Sequence, residues 1–127
     1  MTKTAIVADN APAALGPYSA AIRVGDFLYC SGQTPIVPET GEQADGDVAS
    51  QTRQVLKNVS AVLEAAGATL ADVVKTTVFL TDMADFAKMN EVYAEFFAEP
   101  FPARSTVAVR ALPKAASVEI EVVAVLS

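Results

Sequence analysis

The 127-residue chain contains no histidine, so the commonest general base and the commonest metal ligand are both missing. Its one cysteine, Cys30, can form no internal disulfide and cannot build a thiolate zinc site. Tryptophan is absent, and large apolar side chains are few. Six Phe, three Tyr, eight Leu and four Ile stand against 24 Ala and 17 Val within the 52% apolar total. Basic residues are scarce as well, nine against fifteen acidic, for a net charge of −6. A protein that neutralises phosphates carries a basic patch, and none is visible, which argues against nucleic acid as the main partner. No stretch approaches the roughly 20 apolar residues of a membrane span, and the start MTKTAIVADN has no secretory core. These absences predict a soluble, cytoplasmic protein without a metal centre, whose chemistry rests on Arg, carboxylates, hydroxyls and backbone groups. The length suits one domain over residues 1–127, enough to bury roughly two-thirds of the unfolded surface.

The N-terminal third reads as strand and loop. Thr4–Val7 is a short apolar run, and Ala20–Val24 and Phe27–Ser31 flank Gly25-Asp26, the pattern of a β-hairpin. Thr34–Gly46, with Pro35, Pro38, Gly41 and Gly46, reads as a loop. Across Asp47–Ala66, Val48, Thr52, Val55, Leu56, Val59, Val62 and Leu63 recur at three- and four-residue steps, which predicts a helix. Asp45 or Asp47 is placed to cap its start, and Gly67 suits the left-handed position after its end. Val73–Thr81 changes to a period of two, with Val74, Thr76, Val78 and Leu80 on one face. Asp82 then offers a cap to a second helix with Phe86, Met89, Val92, Tyr93 and Phe96 as its buried stripe. Pro100 and Pro102 stop that helix. Two further strands, Arg104–Ala111 and Ser117–Leu126, complete an α+β domain of order βββ-α-β-α-ββ.

In the last strand Val118, Ile120, Val122 and Ala124 alternate with Glu119, Glu121, Val123 and Val125. A sheet covered by helices on one side should turn a polar face to water. This second face ends in valines instead, and two helices can cover only one side. A second copy of the chain is the simplest cover. A few tolerated surface valines are the plainer explanation.

Four segments carry a resemblance: Gly16-Pro17-Tyr18-Ser19; Ser31-Gly32-Gln33; Met89-Asn90-Glu91-Val92-Tyr93 with Phe96-Phe97; and Pro102-Ala103-Arg104-Ser105 leading to Leu112-Pro113-Lys114 and Val118-Glu119-Ile120-Glu121. In this order and spacing, from about Ala8 to the C-terminus, the chain resembles the RidA family (YjgF/YER057c/UK114), the reactive intermediate deaminases. The resemblance implies a fold like bacillus-type chorismate mutase, a six-stranded sheet backed by two helices. It further implies a homotrimeric barrel with clefts at the subunit interfaces, and no metal or organic cofactor. Its implied activity is hydrolysis of 2-imino acids and their enamine tautomers, such as 2-aminoacrylate, to 2-keto acids and ammonia. The family's carboxylate-binding Arg falls on Arg104, its water-orienting Glu on Glu119 and its site Tyr on Tyr18. Ser31 and Gly32 match the pocket-lining segment, and Asn90 matches an Asn at the cleft. Close bacterial members carry Cys two residues after the Arg, where this chain has Thr106. That departure bears on substrate preference and rate.

The chemistry suits these residue types. A 2-imino acid presents a carboxylate beside an electrophilic C=N carbon, and a guanidinium grips a carboxylate with two parallel charge-assisted hydrogen bonds. The imine is already reactive, so what is needed is a placed water and a proton carrier, a task for one carboxylate. Desolvation on a half-apolar strand face would raise the Glu119 pKa toward the working pH. Each residue also has a plainer reading. Arg104 alone would pass for a surface arginine, and Arg110 and Glu119 for a cross-strand ion pair. Tyr18 would be a packing residue, Ser31-Gly32 a strand end, Asn90 a solvated helix residue and Cys30 a small buried hydrophobe. Met89, Tyr93 and Phe96 read as core. A protein of the same fold that binds 2-keto acids without turnover, or acts as a chaperone-like partner, is the rival function. Some relatives have been described as ribonucleases, against which the acidic charge and missing histidine argue.

Overall fold

A computed structural model describes residues 2–127. The elements are β1 (Thr4–Ile6), β2 (Ala21–Val24), β3 (Phe27–Gln33), α1 (Val48–Ala65), β4 (Val73–Leu80), α2 (Phe86–Phe96), β5 (Ala103–Ala108) and β6 (Val118–Val125). The strands form one mixed sheet in the order β1-β2-β3-β6-β4-β5, with only the β4–β5 pair parallel. The expected α+β order is found.

Helix α1 starts where Asp47 Oδ1 accepts hydrogen bonds from the amides of Ala49 (3.1 Å) and Ser50 (3.2 Å), and ends before Gly67 at φ +81°. Of the two candidate caps, Asp47 therefore does the work. The stripe Val55, Leu56, Val59, Val62 and Leu63 is buried against Leu28, Val78, Ile120 and Met89 in a single core on the helical side of the sheet. Each such side chain contributes on the order of 1.5–3 kcal/mol through burial. Two polar side chains of α1 tie the loops to this core. Asn58 Nδ2 donates to the carbonyls of Thr34 (3.1 Å) and Ile36 (2.8 Å), and Gln51 Oε1 accepts from the Ser117 amide (2.8 Å).

Several expectations are corrected. Val74 does not share the face of Thr76, Val78 and Leu80. The β4–β6 register slips between Val73 and Lys75, so Val73 is buried and Val74 exposed. One extra residue in a bulge reverses the alternation that a regular strand would keep. Asp82 caps a short 3₁₀ turn, Met83–Asp85, through the Ala84 amide (2.9 Å), and α2 begins only after it. The Arg104 strand ends at Ala108, short of Ala111. Strands β5 and β6 are not neighbours, because β4 lies between them, and no Arg110–Glu119 pair forms.

The non-helical face is as apolar as the sequence predicts. Tyr29 (50% exposed) and Phe27 (46%) stand directly opposite Val123 and Val125, their own rings stacked at 6.3 Å. Ile22 and Val24 on β2 and Val107 on β5 extend the patch.

Candidate functional site

The sequence-predicted residues fall into two groups. The first surrounds a cavity of about 660 Å³ whose lining includes Tyr18, Ser31, Gly32, Thr34, Lys114 and Glu119. Tyr18 lies in an irregular segment held to the sheet where Ser31 Oγ donates to the Ser19 carbonyl (2.7 Å) and the Ser31 amide to that of Ala20 (2.9 Å). Ser31 and Gly32 interrupt the β3–β6 ladder. Cys30 pairs with Val122 and Gln33 with Ile120, leaving two residues opposite one. Such a bulge re-aims the backbone locally. It brings Gly32 beneath Glu119 so closely that a Cβ built at Gly32 would lie 2.9 Å from the Glu119 Cδ and 3.1 Å from its Cγ. Glycine here is a space requirement, since its φ lies outside the left-handed region.

Glu119 is half-buried, and its carboxyl is held above the ordinary 4.5 first by burial and then by the charge of Glu121. Glu121 itself is exposed on the same face. At the cavity rim Lys114 donates to the Gly41 carbonyl (3.3 Å), tying the loop after β3 to the loop before β6. Lys114 and Ala115 both adopt left-handed backbone, φ 55° and 56°. Cys30, beside this cavity in sequence, is buried, and desolvation pushes its thiol up to about 11. It is a poor nucleophile at neutral pH.

The second group sits on the helical side at the outer strand. Arg104 stands opposite Thr76 in the parallel β4–β5 register, so it projects toward α2. Its Nη1 donates to Asn90 Oδ1 (2.6 Å), and its guanidinium carbon lies 4.7 Å from the Tyr93 ring centre and 5.6 Å from that of Phe86. Asn90 is therefore engaged rather than merely solvated. Thr106, two residues along, shares this side, and its buried Oγ1 has no hydrogen-bond partner. A buried hydroxyl without a partner is costly unless something else bonds it.

Arg104, Asn90 and Thr106 thus come together, as do Tyr18, Ser31, Gly32 and Glu119, but within one chain the two groups lie on opposite faces of the sheet. The roles of Asn58 and Lys114 as ties holding the cavity walls escaped sequence reasoning. For Asn58 the only signal was an amide on the apolar stripe of α1. No group of three His, Cys, Asp or Glu side chains among the described residues is placed to hold a metal, and none of their helices is long and apolar enough to cross a membrane.

The fold and site define a class of small α+β domains with one mixed six-stranded sheet, two helices on one side and a carboxylate-bearing cavity on a bulged strand. Residues 8–126 match the family described as Endoribonuclease L-PSP. A RutC family protein of Pyrococcus horikoshii is 58% identical over 122 residues, covering 96% of this chain and 97% of that one. The 2-iminobutanoate/2-iminopropanoate deaminase of Escherichia coli K12 is 52% identical over 128 residues, covering 98% of each. Among solved structures, Escherichia coli TdcF with bound serine superposes with a TM-score of 0.92 at 46% identity, covering 98% of this chain and 99% of that one. The chain belongs to the Endoribonuclease L-PSP family, that is, the YjgF/RidA family.

Proposed function

We propose that this chain is a cytoplasmic 2-imino acid deaminase, working on 2-iminobutanoate and 2-iminopropanoate as a homotrimer without cofactor. The observation that carries the reading is the division of its polar residues: on one side of the sheet a guanidinium with no carboxylate partner among the described residues, and on the other a desolvated carboxylate. In a 2-imino acid the carboxylate is one bond from the imine carbon, so Arg104 and Glu119 of a single chain cannot serve the same molecule. Two copies packed through the apolar sheet face can, with Arg104 from one and the Tyr18–Ser31–Gly32–Glu119 cavity from the next.

In such a site Arg104 holds the substrate carboxylate through its remaining N–H donors, and Thr106 Oγ1 and Asn90 complete the polar wall. Tyr18 covers the substrate, and the Ser31–Gly32 backbone bounds the imine end. Glu119 accepts a proton from a bound water as the water oxygen bonds to the imine carbon and the C=N π pair moves to nitrogen, and it passes that proton to the nitrogen to give the neutral carbinolamine. Glu119 then takes the carbinolamine O–H proton as the C=O forms and delivers it to the nitrogen as the C–N bond breaks. The products are the 2-keto acid and ammonia. A raised carboxyl pKa suits a group that both takes and returns a proton near neutral pH.

Support comes from the deaminase-named relative at 52% identity. The serine held by TdcF, 46% identical, favours a second reading, a binder of small 2-substituted acids without turnover. An endoribonuclease reading has little to stand on in a chain of net charge −6 with no histidine. Coupling the purified protein to a threonine dehydratase separates the first two. The deaminase accelerates the appearance of 2-ketobutyrate beyond spontaneous hydrolysis. Binding of 2-ketobutyrate with no acceleration would leave the binder reading in its place.

A further inference from the structure

Arg104 is half-buried on an edge strand, and no carboxylate among the described residues pairs with it. A guanidinium without an acid partner would ordinarily sweep through many rotamers. Here three side chains at i, i+4 and i+7 of one helix, Phe86, Asn90 and Tyr93, meet it together. Asn90 Oδ1 takes one N–H and fixes rotation within the guanidinium plane. Tyr93, 4.7 Å away, faces the plane itself, within the range where a ring attracts a cation.

The ring is itself anchored. Tyr93 is buried, packs at 4.5 Å against Phe97, and shares a 2.8 Å hydrogen bond with Thr76 Oγ1. Thr76 is fully buried and is the residue directly opposite Arg104 in the β4–β5 register. The ring cannot slide from under the guanidinium without leaving two buried hydroxyls unpaired. Strand, ring and guanidinium form one closed unit, and most of the five Arg104 N–H donors stay free.

We propose that Tyr93, anchored by Thr76, is a positioning residue that holds the Arg104 guanidinium ready to receive an anionic carboxylate. The proposal rests on the reading of Arg104 as the carboxylate clamp. It assigns to Tyr93 a part beyond core packing.

The test keeps the packing and changes the ring's charge. The natural Tyr93 is the reference, followed by tyrosines with one and then two ring fluorines meta to the hydroxyl at position 93, which keep the hydrogen bond to Thr76 and drain the negative face at nearly constant volume. Melting temperature and assembly mass should hold across the series. The Kd for 2-ketobutyrate, by calorimetry, should rise stepwise by about three- to tenfold in all, the range of a partly desolvated cation–π contact. The order parameter of the Arg104 Nε–Hε group, by NMR on the free protein, should fall in the same sequence. A flat series in both readouts overturns the proposal, because a ring that only fills space does not respond to its charge. Arg104→Lys tests the underlying reading separately. If it binds 2-ketobutyrate as tightly as the natural protein, the clamp is elsewhere whatever the Arg104 order parameter shows.

Discussion

Replacing Gly32 by alanine separates the chemistry of the cavity from the stability of the fold. The new Cβ would stand 2.9 Å from Glu119 Cδ and 3.1 Å from Cγ, where ordinary contact begins near 3.4 Å. The backbone does not oppose it, because the φ of Gly32 lies outside the left-handed region. Alanine in a strand gains about 0.5–1 kcal/mol over glycine by restricting the unfolded chain. Pushing the Glu119 side chain off its rotamer costs about 0.5–1.5 kcal/mol. The two nearly offset, so the melting temperature should move by less than about 6 °C in either direction. The Glu119 Oε2 atom, however, would meet the new Cβ closer than either carbon does, so the carboxylate must swing away by roughly 1 Å or more, and a misplacement of that size costs about 10²-fold in rate, or about 2.7 kcal/mol of barrier. The dehydratase-coupled assay reads the rate and a circular dichroism melt reads the fold. Wild-type turnover with an unchanged melt would show that the seat of Glu119 over Gly32 is not used in the reaction.

Glu119→Gln keeps size but cannot take and return a proton, and turnover should fall by roughly 10²–10⁴. Exposed Glu121→Gln should lose little turnover, and equal mild losses in both variants would mean that backbone groups hold the water. Folding raises the Glu119 pKa, so the native state keeps a proton that the unfolded chain has released, and wild-type stability falls as pH rises from 4.5 through the raised value. Urea melts across pH should therefore show Glu119→Gln gaining on the wild type through that window and holding its lead above it; a constant difference would refute the desolvation. Light scattering should give about three times the 13.2 kDa chain mass, and Tyr29→Glu, placing a charge in the apolar sheet face, should break that assembly and abolish turnover together. A monomeric wild type would remove the two-chain site.

Much of the fold was legible because local rules act on local spacing. The α1 stripe and a cap at Asp45 or Asp47, the Gly25-Asp26 hairpin and the alternation of β6 each depend on residues a few positions apart, and the structure chose Asp47 as the cap. The likeness of four short segments to one family carried the site list, with Asn90, Arg104 and Glu119 in it. What local spacing could not supply was which strand lies beside which. Inserting β4 between β5 and β6 removed the Arg110–Glu119 pair that adjacency suggested. One bulge sent Val74 to the opposite face from Thr76, and another seated Gly32 under Glu119. Tyr93 read as core by its period, and it is core, yet only the pairing of Thr76 with Arg104 put its ring under the guanidinium. By itself the sequence determined which elements form and which residue types could do chemistry, since periodicity, capping and functional groups belong to short stretches of chain. Strand order and register belong to contacts between stretches far apart, and these alone decided that Arg104 and Glu119 stand on opposite faces of one sheet.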